Sequence, residues 1–147
     1  MTRGIASVVP IAGRNHIIQE GGFTLIDDCY NANPVSMKAA LDLLSLADTR
    51  KVAILGDMFE LGENSDRLHS GVGSYAKGKT DLLICIGENA KHIYDGAKEA
   101  GVEQVYHFTD KESFLREKEK LLQAGDTILL KASHAMAFET LIKELAG

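Results

Sequence analysis

Two adjacent carboxylates, a phenol and two amides fall within seven residues: Asp27, Asp28, Tyr30, Asn31 and Asn33. Together they can donate to and accept from the hydroxyls of a polar ligand such as a ribose. They follow Phe23, Leu25 and Ile26, which read as a buried strand. They precede Pro34, whose fixed φ and missing N–H suit the first turn of a helix. Asn33 or Ser36 can cap that helix. Ligands of open α/β sheets bind outside the carboxyl ends of the strands, so residues 23–37 are a candidate site. Turn-forming Asx residues would give the same composition with no ligand at all.

Other chemistry-bearing patterns are weaker. Residues 73–80, GSYAKGKT, match G-x-x-x-x-G-K-[ST] letter for letter. A phosphate loop needs a strand before it and a helix after it. Here a helix precedes and the strand 81–86 follows, so Gly78 reads as a helix-terminal glycine and Lys79 as a cation near that terminus. The histidines His16, His69, His92, His107 and His134 lack metal-ligand spacing. His92 and His107 read as surface or helix-packing residues, and His69 could face the loop GDMFELGE, residues 56–63. The acids of that loop are not assigned a metal, and no catalytic triad or dyad can be placed. Cys29 and Cys85 make neither a disulfide framework nor a metal set, and read as buried thiols of a reducing cytoplasm.

The elements that must position these residues alternate. Residues 1–14 read as an interdomain linker or the tail of a preceding domain, and residues 15–147 as one domain. Strands are expected at 23–27, 52–55, 81–86, 105–108 and 127–131, with a further short one at 16–19. Helices are expected at 35–47, across 64–75, and at 90–100, 111–123 and 135–146, each with apolar residues at three- and four-residue spacing. Strand–helix alternation predicts an α/β fold: a mostly parallel, Rossmann-like sheet of about six strands with helices on both faces. Right-handed crossovers then bring DDCYNAN, GDMFELGE, GENA and KASHAM to one edge.

The 147 residues suffice for one core, and a formal charge of −5 argues against a nucleic-acid surface. No apolar run approaches the roughly 20 residues of a membrane span. Residues 1–15 lack the apolar core of a signal peptide, so the expected location is cytoplasmic.

The stretch DDCYNANPVSM, with GDMFELGE and KASHAM, resembles the C-terminal domain of the Mur ligases, the ATP-dependent amide ligases of peptidoglycan synthesis. The resemblance runs over nearly the whole chain from about Gly13. It implies a three-domain enzyme whose central domain holds the phosphate loop and most contacts to ATP and magnesium. There ATP phosphorylates a carboxylate, and an incoming amine attacks the acyl phosphate. The third domain closes over that site. The best-matching branch adds D-alanyl-D-alanine to a UDP-N-acetylmuramoyl-tripeptide.

By position, the resemblance puts Arg14, Asp28, Tyr30, Asn31 and Asn33 on the ATP side. It puts Gly87, Glu88, Asn89, Lys131, Ser133 and His134 on the side of the incoming amino component. The last three match a strand end often written K-G-S-R, with Ala132 and His134 replacing glycine and arginine. Histidine lacks the guanidinium's fixed fork for a carboxylate. The implied partners are the two substrates and the N-terminal and central domains, in a monomer with no nucleic acid and no membrane span. This chain alone is expected to be inactive. The alternative is a free-standing receiver-like or small-ligand-binding α/β domain, in which Asp27, Asp28, Asp57 and Lys131 form an acidic pocket with its lysine.

Overall fold

The computed structural model describes residues 9–11, 15–20, 22–28, 33–59, 62–132 and 139–146. In chain order its elements are β1 (Val9–Ile11), β2 (Asn15–Glu20), β3 (Phe23–Asp28), α1 (Pro34–Leu44), β4 (Lys51–Gly56), α2 (Ser65–Tyr75), β5 (Leu82–Ile86), α3 (Ala90–Ala100), β6 (Val105–Phe108), α4 (Lys111–Leu121), β7 (Thr127–Lys131) and α5 (Glu139–Ala146). A single 3-10 turn, Gly62–Asn64, leads into α2.

The described strands form one seven-stranded sheet in the order β1-β2-β3-β7-β4-β5-β6. β3, β7, β4, β5 and β6 pair in parallel, while β1 and β2 add antiparallel at one side. The sheet thus has one strand more than the sequence suggested. Val9–Ile11, within the stretch read as a linker, pairs with Asn15–Ile17 of β2. The last strand, β7, sits between β3 and β4.

Parallel strands covered on both faces should be continuously apolar. β4, β5 and β7 are buried almost throughout. Their side chains alternate between two cores. On one face Ala53, Leu55, Leu83, Cys85 and Leu129 meet Met37, Leu41 and Leu44 of α1, Val72 of α2 and Ile93 and Ala97 of α3. On the other, Val52, Ile54, Ile84, Ile128 and Leu130 meet Phe114 of α4 and Leu141 and Leu145 of α5. Phe114 also lies edge-on to Phe108, with ring centroids 5.9 Å apart.

The helix ends follow local chemistry. Asn33 and Ser36 form a reciprocal capping box on α1: Asn33 Oδ1 accepts the Ser36 N–H at 2.9 Å, and Ser36 Oγ accepts the Asn33 N–H at 3.0 Å. Asp110 caps α4 by accepting the Ser113 N–H at 2.8 Å, and its carboxyl is held below the usual range by that bond. α3 stops at Gly101, which takes φ +99°, a left-handed conformation open to glycine. The helices α2 and α3 cross at two glycines. A Cβ on Gly73 would run into the Ile93 carbonyl, and one on Gly96 into the Ser70 carbonyl.

The phosphate-loop look-alike is the end of α2 and its exit turn, followed by β5. Lys79 Nζ pairs with Asp42 Oδ1 at 2.9 Å, Tyr75 donates its hydroxyl to the same carboxylate at 2.8 Å, and the ammonium lies 5.1 Å from the Tyr75 ring centroid. That lysine ties α1 to the end of α2.

Candidate functional site

Because β3, β7, β4, β5 and β6 are parallel, their carboxyl ends share one edge. Asp28 stands opposite Lys131, Lys131 opposite Leu55, Gly56 opposite Ile86, and Ile86 opposite Phe108. Strands lie about 4.8 Å apart, so the ends of β3 and β5, three spacings away, are about 14 Å apart. The carboxyl ends of β3, β7, β4 and β5 therefore share one edge of ligand size.

Of the residues expected on the nucleotide side, Arg14, Tyr30 and Asn31 lie outside the described residues. Asp28 is placed by its backbone at the end of β3. Asn33 is exposed, and its Oδ1 is engaged by the α1 cap. Of those expected on the amine side, Ser133 and His134 lie outside the described residues. Lys131 is buried, 1% exposed, and partnered.

Gly87, Glu88 and Asn89 are fully described, and they are held on three sides. Gly87 donates its N–H to the Phe108 carbonyl at 2.9 Å. The Gly87 carbonyl accepts from His107 Nε2 at 2.8 Å, which fixes the proton on that nitrogen because a carbonyl only accepts. Gly87 takes φ +124°, and a Cβ there would collide with the Asp57 carboxylate, so any other residue would be strained and would displace Asp57. Ala90, the first residue of α3, donates its N–H to Asp57 Oδ1 at 2.7 Å. Glu88 is exposed. Asn89, the N-cap of α3, makes no side-chain cap hydrogen bond.

Two of the three anchors were not legible as such. His107, expected as a packing residue, does pack against Tyr94, with ring centroids 6.2 Å apart. It also binds the loop after β5. Asp57, 6% exposed, is buried beneath that loop. Burial pushes its carboxyl above the ordinary value, opposed by the Ala90 hydrogen bond and by His69. A receiver-like pocket would need Asp57 open to a ligand, whereas its carboxylate is bonded to α3.

His69 is fully buried and does face the loop after β4: Nδ1 donates to the Ser65 carbonyl at 2.7 Å, and Nε2 accepts the Met58 N–H at 2.9 Å. It fixes the backbone next to Asp57.

Among the described residues no group of three or more His, Cys, Asp or Glu could hold a metal ion, and no helix is long and apolar enough to cross a membrane. Nor do they by themselves fit a nucleotide, because the one fully described side chain on that side is spent on a helix cap.

Comparison with known proteins identifies the family. Residues 13–134 match the family described as "Mur ligase, glutamate ligase domain". The UDP-N-acetylmuramoyl-tripeptide–D-alanyl-D-alanine ligase of Bacillus subtilis is 33% identical over 148 residues, covering 97% of this chain and 32% of that protein. A crystal structure of MurF from Acinetobacter baumannii superposes with a TM-score of 0.82 at 31% identity, over 92% of this chain and 30% of that one. MurF from Thermotoga maritima in complex with ADP gives a TM-score of 0.78 at 25% identity, over 97% of this chain and 32% of that one. The chain thus spans about a third of the length of the relatives it matches.

Proposed function

Since this chain belongs to the Mur ligase family, as its glutamate ligase domain, we propose that it is the C-terminal domain of an ATP-dependent ligase adding D-alanyl-D-alanine to a UDP-N-acetylmuramoyl-tripeptide. The observation that carries the reading is the loop 87–90, anchored at its buried ends Gly87 and Ala90 and open to solvent at Glu88, at the carboxyl edge of the sheet. It presents a carboxylate and an amide side chain not used by its own helix.

The chemistry divides between domains. ATP, bound with magnesium mainly by a central domain, would supply the activation of the tripeptide carboxylate. The residues of this chain bind and orient the incoming amine. The Glu88 carboxylate accepts an N–H of the incoming amine, whose nitrogen attacks as the neutral base, and the Asn89 amide both donates and accepts. Lys131 ends β7, two strands from β5, and the resemblance assigns it, with Ser133 and His134, to the dipeptide carboxylate. The resemblance assigns Arg14, Asp28, Tyr30, Asn31 and Asn33 to the nucleotide side, with Asn33 limited to its amide NH2 because its Oδ1 caps α1. Closure of this edge over the central domain excludes water and holds the amine in line for attack. The reading carries a cytoplasmic location and a monomer with its own N-terminal and central domains as partners.

The test is an ADP-release assay on the polypeptide that carries this domain behind a phosphate-loop domain. ADP forms only when tripeptide and dipeptide are both present, and the 147-residue chain alone releases no phosphate. Dipeptide-stimulated phosphate release by this chain alone would overturn the reading.

A further inference from the structure

We propose that Asp57 is a positioning residue for the incoming amine: it caps α3 from the neighbouring strand and thereby leaves the Asn89 side chain to the ligand. The proposal rests on the ligase reading above and adds a residue to it.

An N-cap side chain ordinarily accepts a backbone N–H of its own helix's first turn. α1 and α4 follow that pattern through Asn33 and Asp110. α2 and α3 do not: neither N-cap, Asn64 nor Asn89, makes a side-chain cap bond. Asn89 has helical backbone angles, φ −77° and ψ −24°. The first N–H of α3 goes instead to Asp57 at the end of β4, one strand away. At 2.7 Å this is in the range of charge-assisted bonds, and a carboxylate there also answers the positive end of the helix dipole.

The same carboxylate occupies the space beside Gly87 that a side chain would need. His107 and the Phe108 carbonyl pin Gly87 from the β6 side. The loop 87–89 is therefore clamped between two strand ends before any ligand arrives. A receptor loop ordered in advance spares the ligand the cost of ordering it.

The experiment uses the full-length enzyme and compares Asp57→Ala, Asp57→Asn and His107→Gln with wild type. KM for D-alanyl-D-alanine, KM for ATP, kcat and Tm are measured. Loss of a hydrogen bond to a charged group predicts that Asp57→Ala raises the dipeptide KM about 10- to 100-fold, with the ATP KM within about threefold of wild type. Asp57→Asn keeps an acceptor oxygen and should return the dipeptide KM to within about fivefold of wild type. His107→Gln, which leaves the Asp57 cap intact, should raise the same KM and spare that for ATP.

Equal rises in both KM values, or a fall in Tm with neither KM changed, would overturn the proposal. A wild-type enzyme that turns over a different amine would overturn the substrate reading alone. Asp57 is then judged by the same split on the KM of that amine.

Discussion

The crossing of α2 and α3 makes a sharp prediction, because one helix holds both the test and its control. Gly73 and Gly71 lie two residues apart in α2. A Cβ at Gly71 meets nothing within 4 Å, whereas one at Gly73 would sit 2.8 Å from Ala97 N and closer still to the Ile93 carbonyl oxygen. Restoring an ordinary contact of at least 3.4 Å needs α2 and α3 to part by 0.6 Å or more at the nitrogen. The obstacle is backbone, so no rotamer change relieves it. A gap of 0.5–1 Å forfeits about a quarter to a half of each dispersion contact, and the interface includes the buried Val72, Ala76, Ile93 and Ala97. Overpacking of this kind costs about 3 kcal/mol at the upper end of the usual range. The better helix propensity of alanine returns about 1 kcal/mol.

Gly73→Ala should therefore lose about 2 kcal/mol of unfolding free energy, and Gly71→Ala should gain about 0.5–1 kcal/mol. Urea denaturation at equal m-values reads the difference, about 3 kcal/mol, as a midpoint separation of about 1–3 M. Midpoints that agree within about 0.3 M, or a stabilised Gly73→Ala, would refute the close-approach argument.

Three further outcomes are expected. Lys79→Ala should leave nucleotide turnover of the full-length enzyme unchanged, because Lys79 is paired with Asp42 across α1 and α2; a loss on the scale of a phosphate-loop lysine variant would revive that motif. Arg50→Ala should cost about 2–3 kcal/mol in urea denaturation, since it leaves Asp126, 2% exposed, with the Gln123 N–H but without the guanidinium it binds at 2.9 Å, and removes the donor to the Leu121 carbonyl; a midpoint like that of wild type would refute it.

The pH dependence concerns Asp57. Burial raises its folded pKa above the ordinary 3.8, so its contribution to stability is fully present below that value and is lost as pH rises through the folded pKa. His69 and Glu88 are the ionisable side chains that face it. Wild type should lose stability relative to Asp57→Asn as pH climbs from about 3 to 6, read from Tm at each pH; a constant difference would mean that Asp57 is not desolvated.

The apolar runs and turn residues carried most of the fold. VAIL and LLICI lack alternation because each faces a helical layer on both sides, and that is visible in one dimension. The position of β7 was not, since which strands become neighbours in a parallel sheet is decided by long-range packing. β1 was missed because three residues around Pro10 make too short a signal. At the site, Gly87, Glu88 and Asn89 were legible as a polar strand end. Asp57 and His107 were not legible as its supports, although both were visible at or near the ends of predicted strands. Only the pairings β4–β5 and β5–β6 bring them to the loop.

The insertion of β7 between β3 and β4 also bears on how the chain assembles during synthesis. The ribosome delivers β1–β3 first, then β4–β6, and only then residues 127–131, which join the two. Until those residues emerge, β3 and β4 each present an unpaired inner edge, and such edges invite pairing with other chains. Non-local parallel pairing is slow in any case. A nascent chain stalled before Thr127 should accordingly be a chaperone client.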